Sequence, residues 1–283
     1  MPSIAVTGQR YLVKPDLVDK KGPFQIRILA EGDSWMDRSG PVAASLPDYL
    51  AREFDRVGVC ALIINISTAG HTLRRITDTM GGEFSWWLRQ FRYDAIVFSA
   101  GGNDFIDAAR DPAPGLGLLK DMAGQPSPSN GYECVRAEAV KALRDGYLAS
   151  NFDTIYRRVR SDALNAQVPL FLNCYDTPTA RNAKAADGVG PWLYTAYRKN
   201  HIAQALWPSL TAGIFNAVRT SVEAWCSGRT GVYAVPTCGR LTPAAPQSTG
   251  RSGDWQNEIH PSASGWRKLA PAWVSAMRPA LNV

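Results

Sequence analysis

Five short apolar runs divide the chain: QIRILAEG (25–32), CALIINIST (60–68), DAIVFSAGG (94–102), VPLFLNCYD (168–176) and GVYAVPT (231–237), each closing near a Gly, Asn, Asp or Ser. They are rich in Val and Ile and show no polar alternation, as strands buried on both faces of a parallel sheet require. Helical spacing fills the intervals, over 41–57, 82–93, 136–167 and 191–226. Pro208 is expected to kink or divide the last of these. Alternating β and α segments predict an α/β fold: a three-layer α/β/α sandwich on a five-stranded parallel sheet, with right-handed crossovers. No internal repeat is visible.

Two intervals carry no periodicity. DPAPGLGLLKDMAGQPSPSNGYE (111–133) and LTPAAPQSTGRSGD (241–254) are dense in Pro, Gly and Ser. The first reads as a long ordered loop or lid, or else as a disordered surface insertion. At 283 residues the chain exceeds the ~100–200 residues of a usual domain. The expected organisation is an N-terminal extension over 1–24 and one domain over 25–283, with the Pro/Gly-rich insertion at 107–133.

Composition adjusts this picture little. Hydrophobic residues make up 45% and charged residues 20%, ample for a core. A formal net charge of +6 prompts a search for a nucleic-acid surface, but the basic residues cluster only in short pairs such as Arg74-Arg75 and Arg267-Lys268. Solvated helix faces account for them, and no nucleic-acid partner is expected. Five scattered cysteines without C-x-x-C spacing suit neither a disulfide framework nor a zinc site. No secretory signal and no run of ~18 apolar residues is seen, so no membrane span and a cytoplasmic location are expected, with export lacking an N-terminal signal as the alternative. Oligomeric state is not legible.

Candidate chemistry gathers at the strand ends. In open α/β sheets ligands collect at the carboxyl ends of strands, where Ser34, Gly70, Asn103 and Asp176 stand. Ser34 is a helix cap or a functional serine, and Trp35-Met36 with the delay to Pro41 suits a cap poorly. A nucleophilic serine needs a base and oxyanion donors. Three histidines are available. His260 lies in a loop before Pro261, which suits the first position of a C-terminal helix. His201 falls within a helical pattern, and His71 could line a site without being its base.

Taken in order, EGDSW (31–35), NISTAGHT (65–72), SAGGNDF (99–105) and NEIHPSASGW (257–266) resemble the four sequence blocks of the SGNH/GDSL hydrolase family. The resemblance spans the core and implies a flavodoxin-like sheet and a serine esterase or lipase activity. It implies Ser34 as nucleophile, an oxyanion hole from the N–H groups of Ser34 and Gly70 and the amide of Asn103, and His260 as base. One position departs. Where the family has Asp three residues before the His, this chain has Asn257, leaving Asn257, Asp254, Glu258 or a backbone carbonyl to orient the ring.

Asp33 and Asp104 read as hydrogen-bonding supports. Trp35, His71, Phe105 and Tyr175 flank the blocks and are candidates for a substrate pocket. The expected function is hydrolysis of carboxylic esters of lipids, carbohydrates or small alcohols. The alternative, prompted by Asn257, is a catalytically weak binding module for an acyl or glycan ligand. No G-x-S-x-G, Walker A, H-E-x-x-H or dinucleotide motif occurs, so no cofactor and no metal is expected.

Overall fold

Each of the five apolar runs forms a strand, shorter than its run: β2 (Ile26–Gly32), β3 (Ala61–Asn65), β4 (Ala95–Ser99), β5 (Leu170–Asn173) and β6 (Val232–Val235). Strands β3, β4 and β5 are buried along their whole length, which is why they carry no polar alternation. The computed structural model describes residues 2–37 and 45–283, so the start of the 41–57 helix lies outside the described residues.

The sheet has six strands, not five. Residues 4–7, placed by the sequence in an extension, form β1 (Ile4–Thr7), which pairs in parallel with β3 from Ile4 opposite Leu62 to Thr7 opposite Asn65. As a four-residue, half-buried edge strand it is too short to produce a periodic signal. Helices α1 (Gly8–Val13) and α2 (Pro15–Asp19) then lead back to β2.

All pairings are parallel, in the order β1-β3-β2-β4-β5-β6. From β2 the chain first builds outward to β3, then crosses back to β4 and continues the other way. The point where the order reverses, beside β2, is where open α/β sheets form their crevice. In this strand order right-handed crossovers put α3 (Leu46–Arg56) on one face and α4 (Gly81–Gln90), α7 (Ala149–Arg160) and α9 (Trp207–Cys226) on the other. Helix α10 (Ala263–Leu281) packs on α3.

Between them lie α5 (Gly102–Ala109), α6 (Ala137–Lys141) and α8 (Leu193–Lys199). The helix expected over 136–167 ends at Arg160. The segment expected over 191–226 divides at Asn200–His201, and Pro208 sits in the first turn of α9, where its missing N–H costs nothing. Pro261 likewise falls just outside α10, whose N-cap is Ser262. The 111–133 segment is ordered: Leu118 and Leu119 are buried, and backbone bonds tie Leu118 to Ala108, Lys120 to Cys134 and Met122 to Asn200. Among the described residues no helix is long and apolar enough to cross a membrane.

Candidate active site

Strand β2 ends against β4. Gly32 has φ +150, and a Cβ there would lie 2.3 Å from the Ser99 carbonyl oxygen, so only glycine permits this approach. The next residue, Asp33, donates its N–H to that carbonyl at 2.9 Å. Its carboxylate accepts from Trp35 N–H and Ser99 Oγ, each at 3.0 Å, and from the Tyr175 hydroxyl. Burial lifts the Asp33 pKa to about 6 against the pull of these donors. Asn173 donates to Ser99 Oγ at 3.1 Å and accepts from Tyr175 N–H and Thr237 Oγ1. A polar network thus joins the ends of β2, β4, β5 and β6 beneath the turn that carries Ser34.

The turn is braced against the loop preceding α10. The Trp35 indole N–H donates to the Ile259 carbonyl at 3.2 Å, and its ring meets Tyr175, Trp255 and Trp266 edge-on. Such pairs contribute about 0.5–1.5 kcal/mol each beyond area burial. This brace brings together two segments 224 residues apart. His260 Nε2 lies 2.8 Å from Ser34 Oγ, and His260 Nδ1 lies 2.9 Å from Asn257 Oδ1.

Proton positions follow from the backbone. Asn257 Oδ1 also faces the N–H groups of Ile259, at 3.1 Å, and His260, at 3.0 Å. Two donors aimed at one atom assign it as the amide oxygen, since an NH2 group there would meet only other hydrogens. Nδ1 of His260 therefore carries the ring proton, and Nε2 is left bare to accept the Ser34 hydroxyl. Among the described residues no carboxylate touches the ring, and burial holds the His260 pKa down to about 4. A neutral imidazole that accepts a serine proton is the chemical capacity of this arrangement.

Strands β3 and β4 flank β2, so the turns after them face Ser34 from both sides. Gly70, exposed with φ +77, follows β3, and Asn103 opens α5 after β4. Asn103 Nδ2 donates to the His71 carbonyl at 3.0 Å, which employs one of its two protons and leaves the second. Among the described residues the N–H groups of Ser34 and Gly70 meet no acceptor. Asp104 accepts Leu73 N–H with both oxygens, at 3.1 and 3.0 Å, and burial lifts its pKa to about 6. It straps the Gly70 turn to α5, and Asp37 holds the same turn by accepting Ala69 N–H at 2.7 Å.

The remaining sequence candidates take various places. Asp254 does not reach the ring: it is bound to Lys268 and Thr242 N–H. Burial would raise its pKa, but bonds from Lys268, Thr242 and Ser264 bring it down to about 2. Glu258, another candidate for orienting the ring, is instead fully buried, and four backbone N–H groups point at it. Burial still lifts its pKa to about 7. Trp35, Phe105 and Tyr175 are 4%, 1% and 3% exposed, so they support the site from behind with almost no surface left to line a pocket. His71 meets Asn103 through its carbonyl, its Nδ1 buried without a partner among the described residues. His201 pairs with Asp121 at the surface, and Asp176 gathers the N–H groups of Thr177, Gly239, Arg240 and Leu241.

Two residues beside His260 carried no signal in the sequence. Trp192, half-buried, meets the imidazole edge-on at 5.5 Å between ring centroids. Arg181, fully buried, donates to the Asn257 carbonyl at 2.6 Å. Each is remote in sequence and belongs to no motif, so only the fold brings it here. Among the described residues no group of three or more His, Cys, Asp or Glu could hold a metal ion.

No family model matches the sequence, and no curated protein matches it. Solved structures do resemble the fold. A protein described as a GDSL-like lipase from Parabacteroides merdae aligns with 14% identity over 90% of this chain and 96% of its own, with a TM-score of 0.52. A lipase from a goat rumen metagenome aligns with 12% identity over 89% and 97%, with a TM-score of 0.50. A family 3 carbohydrate esterase from Clostridium thermocellum aligns with 17% identity over 91% and 97%, with a TM-score of 0.48. The fold is that of the SGNH/GDSL hydrolases, as the four sequence blocks imply.

Proposed function

We propose that the protein is a carboxylic ester hydrolase working through an acyl-enzyme at Ser34. The observation that carries this reading is the chain Ser34 Oγ, His260 Nε2 at 2.8 Å and His260 Nδ1 to Asn257 Oδ1 at 2.9 Å. Ser34 attacks the ester carbonyl while His260 takes its proton, and His260 returns the proton to the departing alkoxide. The N–H groups of Ser34 and Gly70 and the second amide proton of Asn103 receive the oxyanion, each such donor lowering the barrier by roughly 3 kcal/mol in comparable sites. Water then repeats the sequence on the acyl-enzyme.

Asn257 orients the ring by its oxygen dipole, without the charge that a carboxylate would set against the imidazolium formed in the transition state. The substrates are acyl or acetyl esters of lipids, carbohydrates or small alcohols. The binding-module reading is the weaker, because recognition alone gives no reason for a serine hydroxyl aimed at a bare imidazole nitrogen. A panel of p-nitrophenyl esters from acetate to long chains, with acetylated xylan and a lysophospholipid, tests the reading. Turnover of at least one ester supports it, and none across the panel would overturn it.

The pH profile supplies an independent check. The acid limb of kcat/KM reports the base of the free enzyme. With the His260 pKa lowered from 6.5 to about 4 by burial, the ring stays neutral and competent at mildly acid pH, and activity declines only as pH falls through about 4. A limb centred near 6.5, the ordinary imidazole value, would contradict this.

A further inference from the structure

Two buried groups of opposite charge lie behind His260, and neither takes part in the chemistry above. Arg181 has no exposed surface. Its guanidinium donates to the Asn257 carbonyl at 2.6 Å, to the Ser248 carbonyl and hydroxyl at 3.0 Å each, and to the Gly250 carbonyl. Glu258 is equally buried. One carboxylate oxygen accepts Arg181 N–H at 3.1 Å and Tyr194 N–H at 2.7 Å, and the other accepts Leu193 N–H at 2.9 Å and Trp192 N–H. The Glu258 N–H in turn donates to the Ala183 carbonyl at 3.1 Å.

The peptide between Asn257 and Glu258 is therefore gripped at both ends by the 181–183 segment: its carbonyl by the Arg181 fork, its N–H by Ala183. That grip sets where the Asn257 side chain leaves the backbone, and Asn257 is the only side chain bonded to His260 Nδ1 among the described residues. On the far side, Glu258 fixes the Trp192 backbone, whose indole is pressed between His260 and Gly190. A Cβ on Gly190 would lie 2.7 Å from that indole. Asn257 and Trp192, two neighbours of the imidazole, thus trace back to the same two buried residues.

We propose that Arg181 and Glu258 are positioning residues that hold His260 in register with Ser34, acting through Asn257 on one side and Trp192 on the other. The proposal rests on His260 being the base of the reaction. Glu258→Gln is the sharp variant: an amide in place of the carboxylate keeps the shape but turns one acceptor atom into a donor, so two of the four N–H groups lose their partner whichever way it is oriented. Arg181→Lys keeps the charge and loses the planar fork, so Asn257, Ser248 and Gly250 can no longer all be held.

The test measures kcat and KM of the two full-length variants on one p-nitrophenyl ester, per folded molecule, and the exchange-protected imidazole Nδ1 proton of His260 by NMR, identified by its loss in His260→Gln. The expected result is a kcat lowered roughly ten- to a hundredfold, the range that small misplacement of a catalytic group produces, with KM within about twofold. The Nδ1 proton signal should shift or broaden in both variants. Arg181→Lys, the milder change, serves if Glu258→Gln does not fold. Wild-type kcat with an unmoved Nδ1 signal in a folded variant overturns the proposal, and so does a fall in kcat with that signal unmoved. Absence of ester turnover in the wild type would instead defeat the functional reading, and the Nδ1 signal still decides the clamp.

Discussion

Ser34→Ala lowers ester hydrolysis by roughly 10⁴-fold or more, the scale on which serine triads lose rate when the nucleophile goes, and leaves the melting temperature nearly unchanged. The stability half of this expectation follows from the contacts. Among the described residues Ser34 Oγ bonds only His260 Nε2, while the turn is held by Gly32, Asp33 and the Trp35 brace, none of which uses the hydroxyl. The activity half follows because the oxyanion donors survive and act on an attack that no longer occurs. Thermal melts and kcat/KM of the purified variant check both halves. Comparable activity would show that the hydroxyl is not the attacking group.

Asn257 should rank second. Asn257→Ala removes the acceptor for Nδ1 and for two backbone N–H groups at once, so the ring loses its orientation and kcat falls by about 10²-fold or more. Asn257→Asp tells orientation from charge. The same three donors would hold a carboxylate in that place, and its charge would favour the imidazolium. The His260 pKa then rises, the acid limb of kcat/KM moves up from about 4, and kcat is kept or increased. Asp254→Asn is the companion control. Its carboxylate serves Lys268 and Thr242, so it should lower stability and spare kcat. A ranking with Asp254→Asn more damaging than Asn257→Ala would reverse the assignment.

The sheet was legible because β3, β4 and β5 are buried on both faces and therefore read as unbroken apolar runs. Strand β1 was not: four residues at an edge, only one of them buried, leave no periodicity to detect. Pro208 misled for a related reason, since a proline breaks a helix interior but suits its first turn, and sequence spacing does not say which turn it occupies. Ser34, His260 and Asn257 were legible as candidates because each stands in a short block at a strand or loop end. Glu258 was misjudged, because nothing along the chain reveals that the N-terminus of α8 folds back to surround it with N–H groups. Trp35 and Tyr175 looked like pocket walls from adjacency alone, and burial makes them supports. Trp192 reaches His260, and Arg181 reaches Asn257, only through tertiary packing.

The proposed function turns on Ser34 being a nucleophile activated by His260. Fluorophosphonate labelling, with the adduct mapped by mass spectrometry of the modified peptide, tests it most directly, because the reagent needs an activated serine and no knowledge of the natural substrate. One stoichiometric adduct on Ser34 is expected in the wild type, with strongly slowed labelling in His260→Ala and none in Ser34→Ala. A folded wild-type protein that does not label, or that labels at another residue with Ser34 untouched, would contradict it.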